Sequence, residues 1–362
     1  MISDANSDLH LRALGNLLDD CDPALGAAPA LQRLIDAGFD RLPRPGSGAT
    51  LARWRVLARV AAHDLSLAKL FEGHTDALAI LDELEDGSEQ AREPAREPAV
   101  GTNASWCVWA AEAPQGKTWI RDGDGRLGGG GRVSLHGAKC WCSGAASASH
   151  ALLTAWREGE SSPQLVRVAI RQPGVRVDDT SWKAVGMAGS ASLDVSFDGA
   201  TAEIVGAPGA YLTRPGFWQG GAGIAACWFG GASVLGAALL RAVRRSGDSI
   251  NQDFRIAACG KVDLELRSTA ATLREVGQWI DAHPAEDACA PALRARLAAE
   301  RCARLVLDQV GQALGAGPFC RDAHFARMAA DLPVFIRQSH AERDFATLGA
   351  AVAANDADAW LL

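Results

Sequence analysis

The residues best equipped for chemistry sit near the middle and near the end of the chain. In the middle, His136-Gly137-Ala138-Lys139-Cys140-Trp141-Cys142-Ser143-Gly144 reads as a strand running into a turn. Side chains two apart on a strand point the same way, so Trp141 and Ser143 are expected on one face. An indole beside a hydroxyl suits a flat conjugated ligand: one supplies a wall, the other a hydrogen bond at the edge. The plainer alternatives are a core tryptophan and a turn serine ahead of Gly144. Near the end lie ionisable groups able to move protons: His324, Asp331, His340, Glu342 and Asp344. His340 and Asp344 would share a helical face one turn apart, which solvent or an interface would equally suit. Asp331, just before Leu332-Pro333, also fits a place where a helix stops.

Three kinds of sequence must position these groups. From residue 5 to about 84, apolar residues recur at helical spacing, as in Leu9, Leu14, Leu17 and Leu18, then Leu51, Trp54, Leu57 and Val60. Leu42-Pro43-Arg44-Pro45-Gly46-Ser47-Gly48 is a loop between them. Ala91-Arg92-Glu93-Pro94 repeats at once as Ala95-Arg96-Glu97-Pro98, which reads as an exposed linker. From 105 to about 205, short β-type runs alternate with turns: 133–135, 151–156, 165–170 and 175–177. The four glycines 128–131 precede β-type sequence rather than a helix, so they read as a hairpin loop and not a phosphate cradle. Helices are expected again over 220–245, 254–280, 291–314 and 323–349, the last interrupted at Pro333. These changes of pattern divide the chain at 1–100, 101–212 and 213–362.

Composition narrows the classes. The chain has 362 residues, 48% hydrophobic and 22% charged, with a formal net charge of −7. That is ordinary for a globular protein and argues against a nucleic-acid surface. Its nine cysteines form no C-x-x-C pair and are odd in number, so they read as reduced thiols in a cytoplasmic protein, with neither a disulfide frame nor a metal site. The start, Met1-Ile2-Ser3-Asp4, lacks a signal pattern. The uncharged run 220–240 is nearly long enough to span a membrane. Its six glycines and its end at Arg241, Arg244 and Arg245 read instead as a buried packing helix.

The order of these pieces resembles the middle and end of the acyl-CoA dehydrogenase superfamily. The pieces that carry the likeness are Trp141-Cys142-Ser143, then Gly186-Met187-Ala188-Gly189-Ser190 before the strand Val195-Ser196-Phe197-Asp198, then Arg321-Asp322-Ala323. The resemblance implies an α+β fold: an N-terminal helical domain, a central small β-barrel or sandwich domain, and a C-terminal four-helix bundle. It also implies FAD, with Glu112, Trp141, Ser143 and Arg245 as binding residues. Trp141-Cys142-Ser143 matches the family's Trp-x-Thr motif. Glu112 stands where the family has Thr-Glu-Pro, but Ala111 replaces the hydroxyl. The family's Arg-x-x-Phe-Gly grip on FAD is not recognisable. Arg244 or Arg245 could replace it, although both also suit the C-terminal end of a helix dipole.

In that family a Glu removes the α-proton of an acyl thioester, a role that typically supplies a factor of about 10²–10⁴. Counted from Arg321-Asp322-Ala323, its position falls at Ala330, which leaves Asp331 as the candidate base. The alternative position, at Gln219-Gly220-Gly221, carries no carboxylate. The resemblance implies a homodimeric or homotetrameric acyl-CoA dehydrogenase of fatty acid metabolism, passing electrons to an electron-transfer flavoprotein. Two other functions fit the same fold. One is a flavin-dependent monooxygenase, which needs no α-proton base and suits Arg321-Asp322-Ala323-His324. The other is a non-catalytic paralogue that binds an acyl ligand or oligomerises.

Overall fold

The computed structural model describes residues 4–22, 25–85, 103–121, 131–245, 252–354 and 360. The tandem Arg-Glu-Pro repeat lies outside the described residues, as do glycines 128–130. Four helices open the chain: α1 (Asp4–Asp19), α2 (Ala27–Asp36), α3 (Thr50–His63) and α4 (Leu65–Glu85). Asp64 caps α4 by accepting from the Leu67 N–H at 2.7 Å, the usual device for an orphan N–H in a first turn.

Seven strands follow: β1 (Trp106–Trp109), β2 (Thr118–Arg121), β3 (Arg132–Cys142), β4 (His150–Ala155), β5 (Gln164–Ala169), β6 (Val175–Asp178) and β7 (Leu193–Val205). They form one sheet in the order β1-β4-β5-β7-β3-β2, with β6 also paired to β7. The sheet curls back on itself. Ile120 N–H donates to the Trp156 carbonyl at 2.8 Å, and Trp156 N–H to that of Thr118 at 2.9 Å. Thus β2 meets the chain leaving β4, and an exposed edge is removed. Inward residues such as Leu135, Cys142, Leu153, Val166 and Val195 fill its interior.

The chain then returns to helix: α5 (Ala210–Thr213), α6 (Gly216–Gly221), α7 (Ile224–Arg245), α8 (Gln252–Ala282), α9 (Cys289–Leu314), α10 (Ala316–Arg321), α11 (Ala323–Phe335) and α12 (Glu342–Ala353). Residues 216–245 have the length and hydropathy of a membrane span, but 67% of that apolar window is buried inside the protein. There α7 packs on α3, α8 and α9. Gly230 makes this close: a Cβ there would strike the Ala58 carbonyl of α3.

Two expected boundaries move. The 220–245 helix is two helices, α6 and α7, parted at Ala222 and Gly223. Pro333 does not interrupt its helix but lies in the last turns of α11, where its fixed φ is helical and only one N–H is lost. The break comes later, at Ser339–Ala341, after a 3₁₀ turn (Ile336–Gln338), with Ala341 at φ 47°.

Candidate functional site

Trp141 and Ser143 lie where β3 ends and where the loop 181–192 runs from the sheet toward the helices. A bulge falls between Lys139 and Cys142 on β3. Trp141 takes φ 58° and is 57% exposed. Its N–H donates to Asp194 Oδ1 at 3.3 Å. This corrects the expected strand alternation: the left-handed residue re-aims Trp141 toward solvent, and Ser143 lies beyond the strand in a turn. Ser143 Oγ is 2.8 Å from Ser192 Oγ, which is 3.0 Å from Ser190 Oγ. Ser190 Oγ donates to the Met187 carbonyl at 2.8 Å. The hydroxyls therefore form a chain that stitches the turn after β3 to the loop.

A cleft of ≈ 390 Å³ opens here, lined by Trp141, Trp182, Lys183, Ser192 and Asp194 among others. Trp182 lines it by its ring, with Nε1 enclosed and without a hydrogen-bond partner. Four non-glycine residues with positive φ occur among the described residues, and three of them are here: Met187 and Ala191 within the loop and Trp141 beside it. Strain of that kind concentrates at functional sites. An exposed indole, a second tryptophan ring, a hydroxyl and a lysine fit a flat, polar-edged ring such as a flavin.

Glu112 is occupied elsewhere. Lys139, fully buried, directs its three donors to Glu112 Oε1 (2.7 Å), the Thr154 carbonyl (3.0 Å) and Thr154 Oγ1 (2.8 Å). Thr154 Oγ1 and Trp156 Nε1 also donate to the Glu112 carboxylate. Burial raises the pKa of Glu112, but the hydrogen bonds from Lys139, Thr154 and Trp156 overcome it and hold the carboxyl below its ordinary value. Its geometry is that of a half-exposed counter-ion at the rim of the sheet, closing over the buried Lys139.

Asp331 is 3% exposed, and its Oδ1 accepts from Met187 N–H at 2.5 Å. Burial pushes its carboxyl above the ordinary aspartate value, against the Met187 hydrogen bond. It sits within α11, not at a helix stop. Beside it Gly186 lies on the Ala330 carbonyl, so that a Cβ at 186 would collide with it. Asp331 lines a second cleft, ≈ 210 Å³, with His63, Asp64, Ser66, Gly189 and Arg327. The loop 181–192 separates that cleft from Trp141.

The remaining candidates are scattered. Arg244 and Arg245 are exposed in the last turn of α7. His324 Nε2 lies 2.9 Å from the His63 carbonyl. His340 precedes α12 rather than lying on it. Its Nδ1 is 3.3 Å from Asp344 Oδ1, and its backbone N–H donates to Asp344 Oδ2. Glu342 is exposed.

One group escaped the sequence reading. On α4, Lys69 Nζ bonds Glu72 Oε2 at 2.9 Å, and Asp76 follows one turn later. Asp76 faces α6 so closely that a Cβ on Gly220 would lie 2.7 Å from its Oδ1. The position at Gln219-Gly220-Gly221 that lacks its own carboxylate thus has one delivered from α4. Arg214, 8% exposed, bonds Glu83 at 2.6 Å. The signal was present as polar residues at 66, 69, 72 and 76, spaced along one face of the helix.

No family model and no curated protein matches the sequence. Solved structures do match the fold. KijD3, in complex with FMN and dTDP-3-amino-2,3,6-trideoxy-4-keto-3-methyl-D-glucose, is 19% identical with TM-score 0.76, over 96% of this chain and 91% of that one. Dibenzothiophene monooxygenase TdsC from Paenibacillus sp. A11-2 is 18% identical with TM-score 0.74, over 95% of each. Butyryl-CoA dehydrogenase from Megasphaera elsdenii is 14% identical with TM-score 0.79, over 96% and 98%. The chain has the acyl-CoA dehydrogenase fold, with its α+β division into helices, curled sheet and helical bundle.

Proposed function

We propose that this protein is a flavin-dependent oxidoreductase of the monooxygenase kind, using FMN. One observation carries the choice over dehydrogenation. Of the two positions for an α-proton base, one is Ala330, whose neighbour Asp331 is committed to the Met187 N–H, and at the other, Gln219-Gly220-Gly221, the nearby Asp76 belongs to an ion cluster with Lys69, Arg53 and Arg214. KijD3 and TdsC, both solved with FMN, support the cofactor.

A reduced flavin, when bound, supplies two electrons to O₂, so that one oxygen atom enters the substrate and the other leaves as water. The chain's part is to hold the ring and keep water out. Trp141 and Trp182 form the wall, Lys183 offers a donor, and the Ser143–Ser192 pair offers a hydroxyl at the ring edge. The test is the visible spectrum of the protein desalted after mixing with FMN or with FAD, followed by oxygen uptake with chemically reduced flavin. Retention of FMN and substrate-dependent oxygen incorporation are expected. A protein that retains neither flavin overturns the reading.

A second reading, dehydrogenation of an acyl thioester with Asp331 as base and an electron-transfer flavoprotein as acceptor, is favoured by the likeness to butyryl-CoA dehydrogenase. Either reading suits a homodimer or homotetramer, supported by the exposed Phe254, Ile256 and Leu264 of α8.

A further inference from the structure

The smaller cleft, ≈ 210 Å³, draws its polar groups from separate elements, and most of them are acceptors. Asp22 comes from the turn after α1, Asp64 from the junction of α3 and α4, Ser66 from the first turn of α4 and Asp331 from α11. Ala27 and Ala30 of α2 and Leu67 of α4 supply an apolar wall. Arg327 also lines the cleft, but its charge is engaged, with Nε 3.3 Å from Asp64 Oδ2. His63 adds no firm charge, because burial of its ring favours the neutral form.

Two of the acceptors are buried and unmet. Ser66 is 4% exposed and Asp331 3%. Among the described residues nothing bonds the Ser66 hydroxyl, and the Asp331 carboxylate uses only Oδ1, on the Met187 N–H. Neither Ser66 Oγ nor Asp331 Oδ2 is sealed inside the protein, so both open on the cleft. The loop 181–192 brings them together. A Cβ at Gly189 would lie 3.2 Å from Ser66 Oγ, and Met187, which Asp331 holds, is two residues earlier. Burial pushes the Asp331 carboxyl up, and Asp64 adds to this, against Met187 and Arg327. A cation beside it would offset both influences.

A buried hydroxyl and a carboxylate oxygen without donors mark a place where a ligand supplies them. That ligand must bring donors together with positive charge. A metal ion does not suit: no group of three or more His, Cys, Asp or Glu among the described residues is placed to hold one. An alkylammonium carries three N–H donors on one positive charge.

We propose that this cleft binds a small primary amine, its ammonium held by Asp331 Oδ2 and Ser66 Oγ and its carbon body by Ala27, Ala30 and Leu67. At ≈ 210 Å³ the cleft admits a short chain or a single ring, being smaller than the roughly 300–1,000 Å³ typical of sites for larger organic ligands. A carboxylate of the same length would meet like charge at Asp331 and Asp64, which selects against it. The inference does not depend on the flavin-dependent reading, because the cleft lies across the loop 181–192 from Trp141.

The test is calorimetric titration of the full chain at neutral pH with n-butylamine, and with butyrate and n-butanol as probes of the same length. Saturable binding of butylamine is expected, about tenfold or more tighter than of either other probe. Asp331→Asn keeps an acceptor for the Met187 N–H but removes the charge, and should weaken butylamine binding by about tenfold or more. Ser66→Ala should weaken it by about threefold to tenfold and leave the melting temperature equal or higher, because the deleted hydroxyl has no partner to lose. No saturable butylamine binding, butyrate or butanol binding as tightly as butylamine, or full butylamine affinity in Asp331→Asn overturns the proposal. A lowered melting temperature in Ser66→Ala does so as well, since it would make the hydroxyl a structural one.

Discussion

The cleft beside Trp141 and the polar stripe of α4 are built in opposite ways. The cleft owes its shape to backbone. Trp141, Met187 and Ala191 sit in left-handed conformations, each costing on the order of 1–3 kcal/mol. The strain is held by the serine chain and by Asp331 on Met187. The stripe rests on regular helix, with no left-handed residue among those described, and puts its character into side chains. A change in the stripe should therefore be felt through its ion pairs, and a change around the cleft through the backbone that shapes it.

The largest expected effect lies beside the cleft. Glu112→Ala would leave Lys139 charged and fully buried beside two neutral oxygens, costing about 2–3 kcal/mol because water reaches the half-exposed Glu112 side, read as a shifted midpoint in urea. A loss below about 1 kcal/mol would mean that Lys139 finds another partner or gives up its proton. Next comes Trp141→Gly. Relief of the left-handed strain should leave stability equal or higher, while loss of the indole weakens FMN retention by about tenfold. Unchanged retention would remove Trp141 from the ring site. Smaller still, Asp331→Asn keeps an acceptor for Met187 N–H and should change turnover by less than about twofold, an amount well below the loss of a general base. A loss of about a hundredfold with flavin bound would instead establish the dehydrogenase reading.

The smallest effect concerns pH. Burial, aided by the neighbouring His324 and Arg327, lowers the pKa of His63 below its ordinary 6.5, against the pull of Asp64. The folded state then prefers neutral His63 and the unfolded state takes up the proton first. Its contribution is full above about pH 6.5, the unfolded value, and is lost as pH falls toward the folded one. The melting temperature of His63→Gln should accordingly fall less steeply on acidification than that of the unmodified chain.

Much of the architecture was legible in the sequence. Expected helices over 254–280 and 291–314 correspond to α8 and α9 within a few residues, because long apolar periodicity fixes such elements. The local geometry of the site was not. Nothing in Cys140-Trp141-Cys142 announces a left-handed tryptophan, since the bulge is imposed by pairing with β7, 50 and more residues away. Lys69, Glu72 and Asp76 escaped because charges at helical spacing ordinarily face water, and only the arrival of α3 and α6 encloses them. Pro333 misled for the reverse reason: a local rule of helix breaking was overridden in the final turns of α11.

Asp281, at the C-terminal end of α8, receives bonds from the backbone N–H groups of Gly48 and Thr50 and from Thr50 Oγ1 at 2.6 Å. The first turn of α3 is thereby closed by a carboxylate more than 230 residues downstream. Neither helix can fray at that end without exposing the other. The opening helices and the closing bundle should consequently melt as one cooperative unit, and calorimetry should record a shared transition for them. Asp281→Ala should divide that transition or broaden it.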